Sequence, residues 1–224
     1  MSRASIDHWN ANQVASVPDD CSEAYSLALL QSRNEQYHGL HELMPVDFPG
    51  KTIIDFGCGP GHDTIDFLLH DARHVYAVDS AFAALRYTRA RVLAHGFQDR
   101  CTLILVGEGD WTLPMADHIH SAGVIHHIED PVGALRKLAH SLRHSSELRM
   151  MVYAAEAQFV ATAGGPEKFE QIADGSAPIA KAWTQDEVRK LAEQAGLKAD
   201  YVGGYLMAEA EGPGLGGCWS LRKS

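Results

Sequence analysis

A glycine-rich segment at residues 52–67 limits the fold of this chain more strongly than any other stretch. The apolar, β-branched pair Ile53 and Ile54 leads into it, and apolar residues at helical spacing follow it up to Leu69. Between them, glycines stand at positions 57, 59 and 61. Glycine allows a tight turn and lets a ligand touch bare backbone, and free N–H groups at a helix start face that ligand. Strand, glycine loop and helix therefore predict a nucleotide-binding site.

The spacing of these glycines narrows the type of ligand. A dinucleotide fingerprint reads G-x-G-x-x-G, but the position of its third glycine is occupied by His62. The segment reads Asp-x-Gly-x-Gly-x-Gly from Asp55 to Gly61, without the Lys-Ser/Thr pair of a phosphate-binding loop. Asp79 closes the next apolar run. A carboxylate at such a strand end can accept hydrogen bonds from both hydroxyls of a ribose.

Four short pieces follow one another along the chain. They are Asp-Phe-Gly-Cys-Gly-Pro-Gly at 55–61, Val-Asp-Ser at 78–80, Leu-Pro at 113–114 and Gly-Val-Ile-His-His-Ile-Glu-Asp-Pro at 123–131. In this order and spacing they resemble the class I S-adenosylmethionine-dependent methyltransferases, in particular the small-molecule group with a His-His pair after the fourth strand. The resemblance implies a Rossmann-like α/β three-layer sandwich. Its sheet is expected to be seven-stranded and mostly parallel, with an antiparallel last strand.

The composition is typical of one globular domain and offers no sign of a nucleic-acid or membrane partner. The 224 residues include 19 basic and 29 acidic ones, giving a net charge of −10 without a basic run. The four cysteines at 21, 58, 101 and 218 form no CxxC pair, which is typical of reduced thiols. The start of the chain has no apolar signal core, and no stretch is long enough to span a bilayer. We expect a cytoplasmic monomer or homodimer that acts on a small molecule.

The pattern of strands and helices divides the single domain into four parts. An N-terminal cap region is expected at 1–45, the cofactor-binding core at 46–156, an insertion over the active site at 157–182, and a C-terminal helix and strand pair at 183–224.

Within the cap region, residues 1–18 are expected to be extended, followed by a helix that Asp19 or Asp20 caps and that runs to about Leu43. The fourth strand is expected over about residues 119–125. A capping box at Thr184 and Glu187 predicts the start of the last helix.

The resemblance implies a set of cofactor-binding residues. Asp55 is expected to hold the methionine amino group through water, Arg33 the methionine carboxylate, and Tyr37 to cover the sulfonium. An acid and an apolar residue are expected beside the adenine, where Glu108 and Asp110 are both possible and Trp111 offers a stacking ring. The whole predicted set is Arg33, Tyr37, Asp55, Gly57, Cys58, Gly59, Gly61, Asp79, Ser80, Asp110, Trp111 and Gly123.

The histidine pair that follows the fourth strand is the predicted source of base catalysis. Catalytic groups of open α/β sheets cluster at the carboxyl ends of strands, and a neutral imidazole can take a proton from a hydroxyl or amine. We choose His127 first and His126 second as the base. Together with His118 and His120 the pair invites a metal interpretation, but the sequence shows no carboxylate set beside them, so no metal is predicted.

The sequence thus predicts transfer of a methyl group from S-adenosylmethionine to an oxygen or nitrogen nucleophile of a small metabolite by in-line displacement. Two alternatives remain. One is a cofactor-binding protein of the same fold that does not methylate. The other is an NAD(P)-dependent oxidoreductase, against which His62 and the lack of a Tyr-x-x-x-Lys pair after the fourth strand both count.

Overall fold

The computed structural model describes residues 2–38, 48–172, 180–207 and 215–224. Its strands are β1 (Tyr37–His38), β2 (Thr52–Phe56), β3 (His74–Asp79), β4 (Cys101–Leu105), β5 (Ala116–Ala122), β6 (Leu142–Tyr153), β7 (Leu197–Met207) and β8 (Gly216–Lys223). They form one sheet in the order β1-β7-β8-β6-β5-β2-β3-β4. β4, β3, β2, β5 and β6 run parallel, and β8 is antiparallel to both β6 and β7. The predicted seven-stranded sheet is confirmed, and the short β1 extends it at the β7 edge.

Helices cover both faces of this sheet. They are α1 (Arg3–Ala11), α2 (Glu23–Gln36), α3 (His62–Leu69), α4 (Phe82–Ala94), α5 (Pro131–Ser141), α6 (Gln158–Thr162), α7 (Pro166–Ile172) and α8 (Gln185–Gln194). The neighbours Ile53 and Ile54 are both fully buried but belong to different apolar clusters, because successive strand residues face opposite sides. Ile53 packs with residues of α2, α3 and α4, and Ile54 with residues of α5 and α8. Burial of both faces is why the strand reads as a continuous apolar run.

The N-terminal region differs from its prediction. Residues expected to be extended form α1, whose first turn is capped by the Ser2 hydroxyl accepting from the Ser5 amide at 3.4 Å. α2 is capped by Ser22, which accepts from the Tyr25 amide at 3.2 Å, so the predicted cap at Asp19 or Asp20 was wrong. Glu23, which follows Ser22 directly, is the first residue of this helix. α2 ends at Gln36, well before Leu43, which lies outside the described residues.

The fourth strand ends earlier than predicted, and this places the histidine pair in a turn. β5 stops at Ala122, because Gly123 takes a positive φ of 74° and turns the chain into a 3-10 turn over Ile125–His127. The predicted capping box at Thr184 and Glu187 is confirmed. None of the helices in the described part of the chain has the length and apolarity to cross a membrane.

Candidate functional site

The three glycines of the loop occupy different environments, so glycine stands at each position for a different structural reason. Gly57 has a φ of +77°, and a Cβ there would lie 2.2 Å from Cγ2 of Val124. Gly61 has a φ of +80°, and its Cβ would lie 2.9 Å from Oγ1 of Thr88. Gly59, with a φ of +52°, has no atom within 4 Å of its would-be Cβ. The fold itself therefore requires glycine at 57 and 61, whereas Gly59 exposes bare backbone to open space.

Asp79 binds the same loop from the end of β3. Its Oδ2 accepts from the amide of Gly59 at 2.9 Å, and its Oδ1 accepts from the amide of Ala81 at 2.9 Å. Burial raises the pKa of this carboxyl, and the amide hydrogen bonds oppose the rise. Each carboxylate oxygen can accept a further hydrogen bond, so the side chain can bind the loop and a ligand at once.

A cleft of about 420 Å³ opens at the carboxyl ends of the parallel strands. This is the edge where ligands of open α/β sheets bind. Many of the residues predicted from the sequence line it: Arg33, Tyr37, Gly57, Cys58, Gly59, Asp79, Ser80, Gly123 and His127. The structure thus brings together residues from the cap region, the glycine loop and the ends of β3 and β5.

Other predicted residues do not line this cleft. Asp55 and Gly61 are buried beneath the loop. Asp110 has a side chain that is 90% exposed and pairs with Lys137 at 3.0 Å, which holds the pKa of its carboxyl below the usual range. Trp111 packs on Phe56 with ring centroids 5.3 Å apart. The structure therefore does not bring the predicted adenine pair to the cleft, where Val106 is found instead.

A buried network of charges lies in the wall of the cleft and includes Arg33. Oδ2 of Asp63 accepts from Nη2 of Arg33 at 2.8 Å and lies 3.0 Å from Nε2 of His120. Burial alone would raise the pKa of Asp63, but the charges of Arg33 and His120 outweigh it and hold the pKa well below the usual range. Burial would lower the pKa of His120, and the Asp63 charge reverses this and raises it. Arg33 is therefore fixed at the cleft wall by an ion pair.

Asp55 completes this network. It is 2% exposed and accepts from the Thr64 hydroxyl at 2.6 Å. Burial raises its pKa to about 6, with His120 opposing and Asp63 adding to the rise. Neither Asp63 nor His120 was predicted from the sequence to belong to such a network. The signal for Asp63 was its place in the first turn of α3, where a carboxylate interacts favourably with a helix start.

The arrangement also bears on metal binding. One ligand atom each from Asp55, Asp63 and His120 lies within 4.8 Å of the others, so these residues form a cluster of metal-ligand type. The guanidinium of Arg33 already occupies Oδ2 of Asp63 and would repel a cation. We interpret the cluster as an internal charge network.

The far end of the cleft is aromatic. His127 is 9% exposed and lines the cleft. Its ring lies edge-on to Trp9 of α1 at a centroid distance of 5.1 Å, and to Tyr153 at the end of β6 at 5.8 Å. Trp9 and Tyr153 also line the cleft, and neither was predicted from the sequence. Tyr153 could have been found from its place at a strand end, but Trp9 lay in a segment expected to be extended.

His126 has a different environment from His127. It is fully buried, its Nδ1 accepts from the Tyr153 amide at 3.3 Å, and its ring stacks on Tyr153 at 3.8 Å. Burial, followed by the charge of His127, pushes the pKa of His126 well below the usual value. The structure thus places the second predicted base inside the protein, away from the cleft, where it supports Tyr153.

Arg91 of α4 anchors the glycine loop to α2. It is fully buried and donates to Oγ of Ser26 at 2.8 Å and to the carbonyl oxygen of Pro60 at 3.1 Å. Its Nη1 lies 3.2 Å from Nδ1 of His62. Burial and then the charges of Arg91 and Arg33 lower the pKa of His62 to about 4. His62 is therefore a neutral acceptor, which is a structural reason for histidine where a dinucleotide fingerprint has glycine.

Comparison with known proteins identifies the family. The sequence profile of a methyltransferase domain matches residues 47–196, more than half of the chain. An S-adenosylmethionine-dependent methyltransferase from Mesorhizobium loti superposes with a TM-score of 0.64 at 18% identity, over 92% of this chain and all of that one (100%).

Two curated relatives are similar to part of the chain. An uncharacterized protein of Synechococcus sp. is 35% identical over 106 residues, which are 46% of this chain and 25% of that protein. A tRNA U34 carboxymethyltransferase of Idiomarina loihiensis is 26% identical over 129 residues, 56% of this chain and 40% of that protein. This chain thus matches less than half the length of either. The chain therefore belongs to the class I S-adenosylmethionine-dependent methyltransferases, as the profile match, the sheet order and the glycine loop show together.

Proposed function

We propose that this protein transfers a methyl group from S-adenosylmethionine to an oxygen or nitrogen nucleophile of a small molecule. The observation that carries the proposal is the pairing of Gly59 with Asp79. Bare backbone faces open space at Gly59, and the adjoining carboxylate of Asp79 has acceptor capacity left. A ligand with a ribose needs both features at one strand end.

The residues of the cleft fit the cofactor. Asp79 would accept from the ribose hydroxyls with Ser80 beside it, and the backbone of 57–59, including Cys58, would lie along the ligand. Arg33 and Tyr37 would meet its amino-acid end, beside Gly123. Asp55 would act from beneath, since it is buried and does not reach the cleft itself.

The chemistry is an in-line displacement for which the protein supplies alignment. When bound, the cofactor provides an electrophilic methyl carbon on a sulfonium. The walls of the cleft hold the acceptor in line and exclude water. His127 takes the proton of a hydroxyl acceptor, since its ring is the imidazole at the cleft beyond β5. A neutral amine needs no such base.

A small acceptor is supported by size and charge. The cleft of about 420 Å³ has the dimensions of a small-molecule site. A nucleic-acid acceptor calls for basic surface, and the chain carries a net charge of −10 without a basic run. A tRNA substrate, which the name of one relative indicates for that relative, is therefore not proposed for this chain.

The test is calorimetry with S-adenosylmethionine, S-adenosylhomocysteine and NAD. We expect binding of the first two only. Asp79→Ala should weaken S-adenosylhomocysteine binding at least about tenfold, roughly 1.4 kcal/mol, because a charge-assisted interaction with two hydroxyls is lost. Asp110→Ala is the matched control and should bind as wild type does, since Asp110 lies on the surface. Unchanged binding by a folded Asp79→Ala variant would refute the ribose assignment.

A further inference from the structure

We infer that the acceptor is a flat, uncharged aromatic compound with a hydroxyl group, which binds at the β6 end of the cleft beside Trp9, His127 and Tyr153. This inference rests on the proposed function and adds the chemical class of the substrate. It follows from the separation of the two ends of the cleft, from the rings at one end, and from the location of the charges.

The cleft crosses several strands and therefore has two distinct ends. Asp79 closes β3 and Tyr153 closes β6, and in the sheet β2 and β5 lie between these two strands. Neighbouring strands are about 4.8 Å apart, so the two ends are separated by about 14 Å. The glycine loop follows β2, which leaves the β6 end for the second substrate.

The β6 end is built from aromatic rings in contact with one another, mostly edge-on. Trp9 and Tyr153 both lie edge-on to His127, at centroid distances of 5.1 Å and 5.8 Å. The ring of Tyr153 is supported by His126 at 3.8 Å, Phe159 at 5.2 Å and Phe169 at 5.8 Å. A wall whose rings are fixed by their neighbours favours a planar aromatic ligand, because offset and edge-to-face ring contacts add to simple burial.

The charges of the cleft argue against an ionic acceptor. Among the described residues that line it, the Asp and Arg side chains are Arg33, Asp63 and Asp79. Arg33 and Asp63 pair with each other, and Asp79 binds the glycine loop. Asp79 lies at the end of β3, and the Arg33–Asp63 pair lies beside β5, where Asp63 contacts His120. Among the described residues, the ring-lined end offers neither a cation for a carboxylate nor an anion for an ammonium group, and burying an unpaired charge there would be costly.

His127 gives the reason for a hydroxyl on the ring. Burial raises the pKa of Tyr153, so this neighbour stays protonated and cannot serve as a base. An imidazole can deprotonate an aromatic hydroxyl, whose pKa is about 10 in tyrosine, far more readily than an aliphatic hydroxyl, which is a much weaker acid. In the step, the acceptor oxygen forms a bond to the methyl carbon while the carbon–sulfur bond breaks. The hydroxyl proton passes to His127 and the electron pair stays on sulfur, giving a methyl ether and S-adenosylhomocysteine.

Binding of a matched pair of probes tests the aromatic part. In the presence of saturating S-adenosylhomocysteine, calorimetry compares naphthol with its saturated analogue decahydronaphthol. Wild type should bind naphthol about two- to twelvefold more tightly, as ring contacts of 0.5–1.5 kcal/mol imply. Trp9→Leu should remove this preference without weakening S-adenosylhomocysteine, whereas Trp9→Phe should keep part of it. Asp7→Ala is the control on the same helix, since Asp7 is exposed and pairs with Arg3 at 3.1 Å.

Turnover with labelled S-adenosylmethionine tests the hydroxyl. Methyl transfer should be faster to naphthol than to decahydronaphthol or naphthylamine. If Trp9→Leu does not fold, Tyr153→Leu is used in its place. Equal binding of naphthol and decahydronaphthol, or a faster reaction with naphthylamine, would overturn the inference while leaving the methyltransferase activity intact. Failure of wild type to bind S-adenosylhomocysteine would instead refute the proposed function, and the inference with it.

Discussion

The two ends of the cleft are built in different ways. The end near β2 and β3 uses backbone and charge: the Gly59 amide binds Asp79, and the Arg33–Asp63 pair is held at 2.8 Å. The end near β6 uses ring packing between α1, the turn after β5 and the close of β6, with Trp9, His127 and Tyr153 in contact. The first is mostly local in sequence, while the second joins segments that are more than 100 residues apart.

This difference has an energetic consequence. Glycine at 57 and 61 is enforced by close contacts, and removing one partner of a buried ion pair typically costs about 3–5 kcal/mol. The end with the glycine loop is therefore rigid. Ring contacts are worth about 0.5–1.5 kcal/mol each and tolerate replacement by other apolar groups. The acceptor end can thus change with the substrate while the fold is kept.

The strongest way to separate the two ends is to fill the space above Gly59. Gly59→Val should give a protein that no longer binds S-adenosylhomocysteine in calorimetry, because a branched side chain enters open space that the ligand needs and the positive φ is strained. Binding of naphthol alone should persist at the other end.

Gly57→Val is the matched comparison. Its Cβ meets Val124 at 2.2 Å, so this variant should lose stability in thermal unfolding as well as binding. Tight cofactor binding by Gly59→Val would mean that the loop is only a turn.

The histidine pair gives the second largest effect. His127→Ala should lower turnover about 10²- to 10⁴-fold for a hydroxyl acceptor and leave S-adenosylhomocysteine affinity nearly unchanged. The loss of rate at acid pH should disappear in this variant, since a protonated imidazole cannot accept a proton.

His126→Asn tests the neighbour, because an asparagine oxygen can replace Nδ1 as acceptor for the Tyr153 amide. This variant should have a lower free energy of unfolding but should still lose rate at acid pH. If His127→Ala kept both the wild-type rate and the loss of rate at acid pH, His127 would not be the base.

The same contrast explains what the sequence could and could not predict. The glycine loop, the sheet and the capping box at Thr184 depend on short-range patterns, and these are confirmed. The adenine pair was expected from the resemblance of one loop to the family, and the attraction between Asp110 and Lys137, 27 positions away, lies outside such a local pattern. Trp9 contacts His127 only after α1 packs against α4, where the Asn10 side chain accepts from the Ala83 amide at 3.2 Å. Contacts between distant segments leave no periodic trace in the sequence.

The smallest expected effect concerns the free energy of unfolding at acid pH. It compares one neutral histidine at each end of the cleft. His62 has a pKa lowered to about 4 by burial and by Arg91, while in the unfolded chain it takes a proton near pH 6.5. As the pH falls from 6.5 towards 4, the unfolded state binds a proton that the folded state refuses, so the free energy of unfolding decreases. Asp55 acts in the opposite direction below about pH 6, since its raised pKa lets the folded state bind a proton first.

Urea unfolding of variants at several pH values isolates each contribution. His62→Gln keeps an acceptor for Arg91 and should flatten the decrease between pH 6.5 and 4 by about 1–3 kcal/mol. His126→Asn should flatten it as well, because burial lowers the pKa of His126 in the same sense. His70→Gln is the control for His62, since His70 directly follows α3, the helix that begins at His62, and its side chain is 62% exposed. If the slope of His62→Gln equalled that of wild type, His62 would bind its proton at the same pH in the folded and unfolded states, and it would not be the neutral acceptor for Arg91 described above.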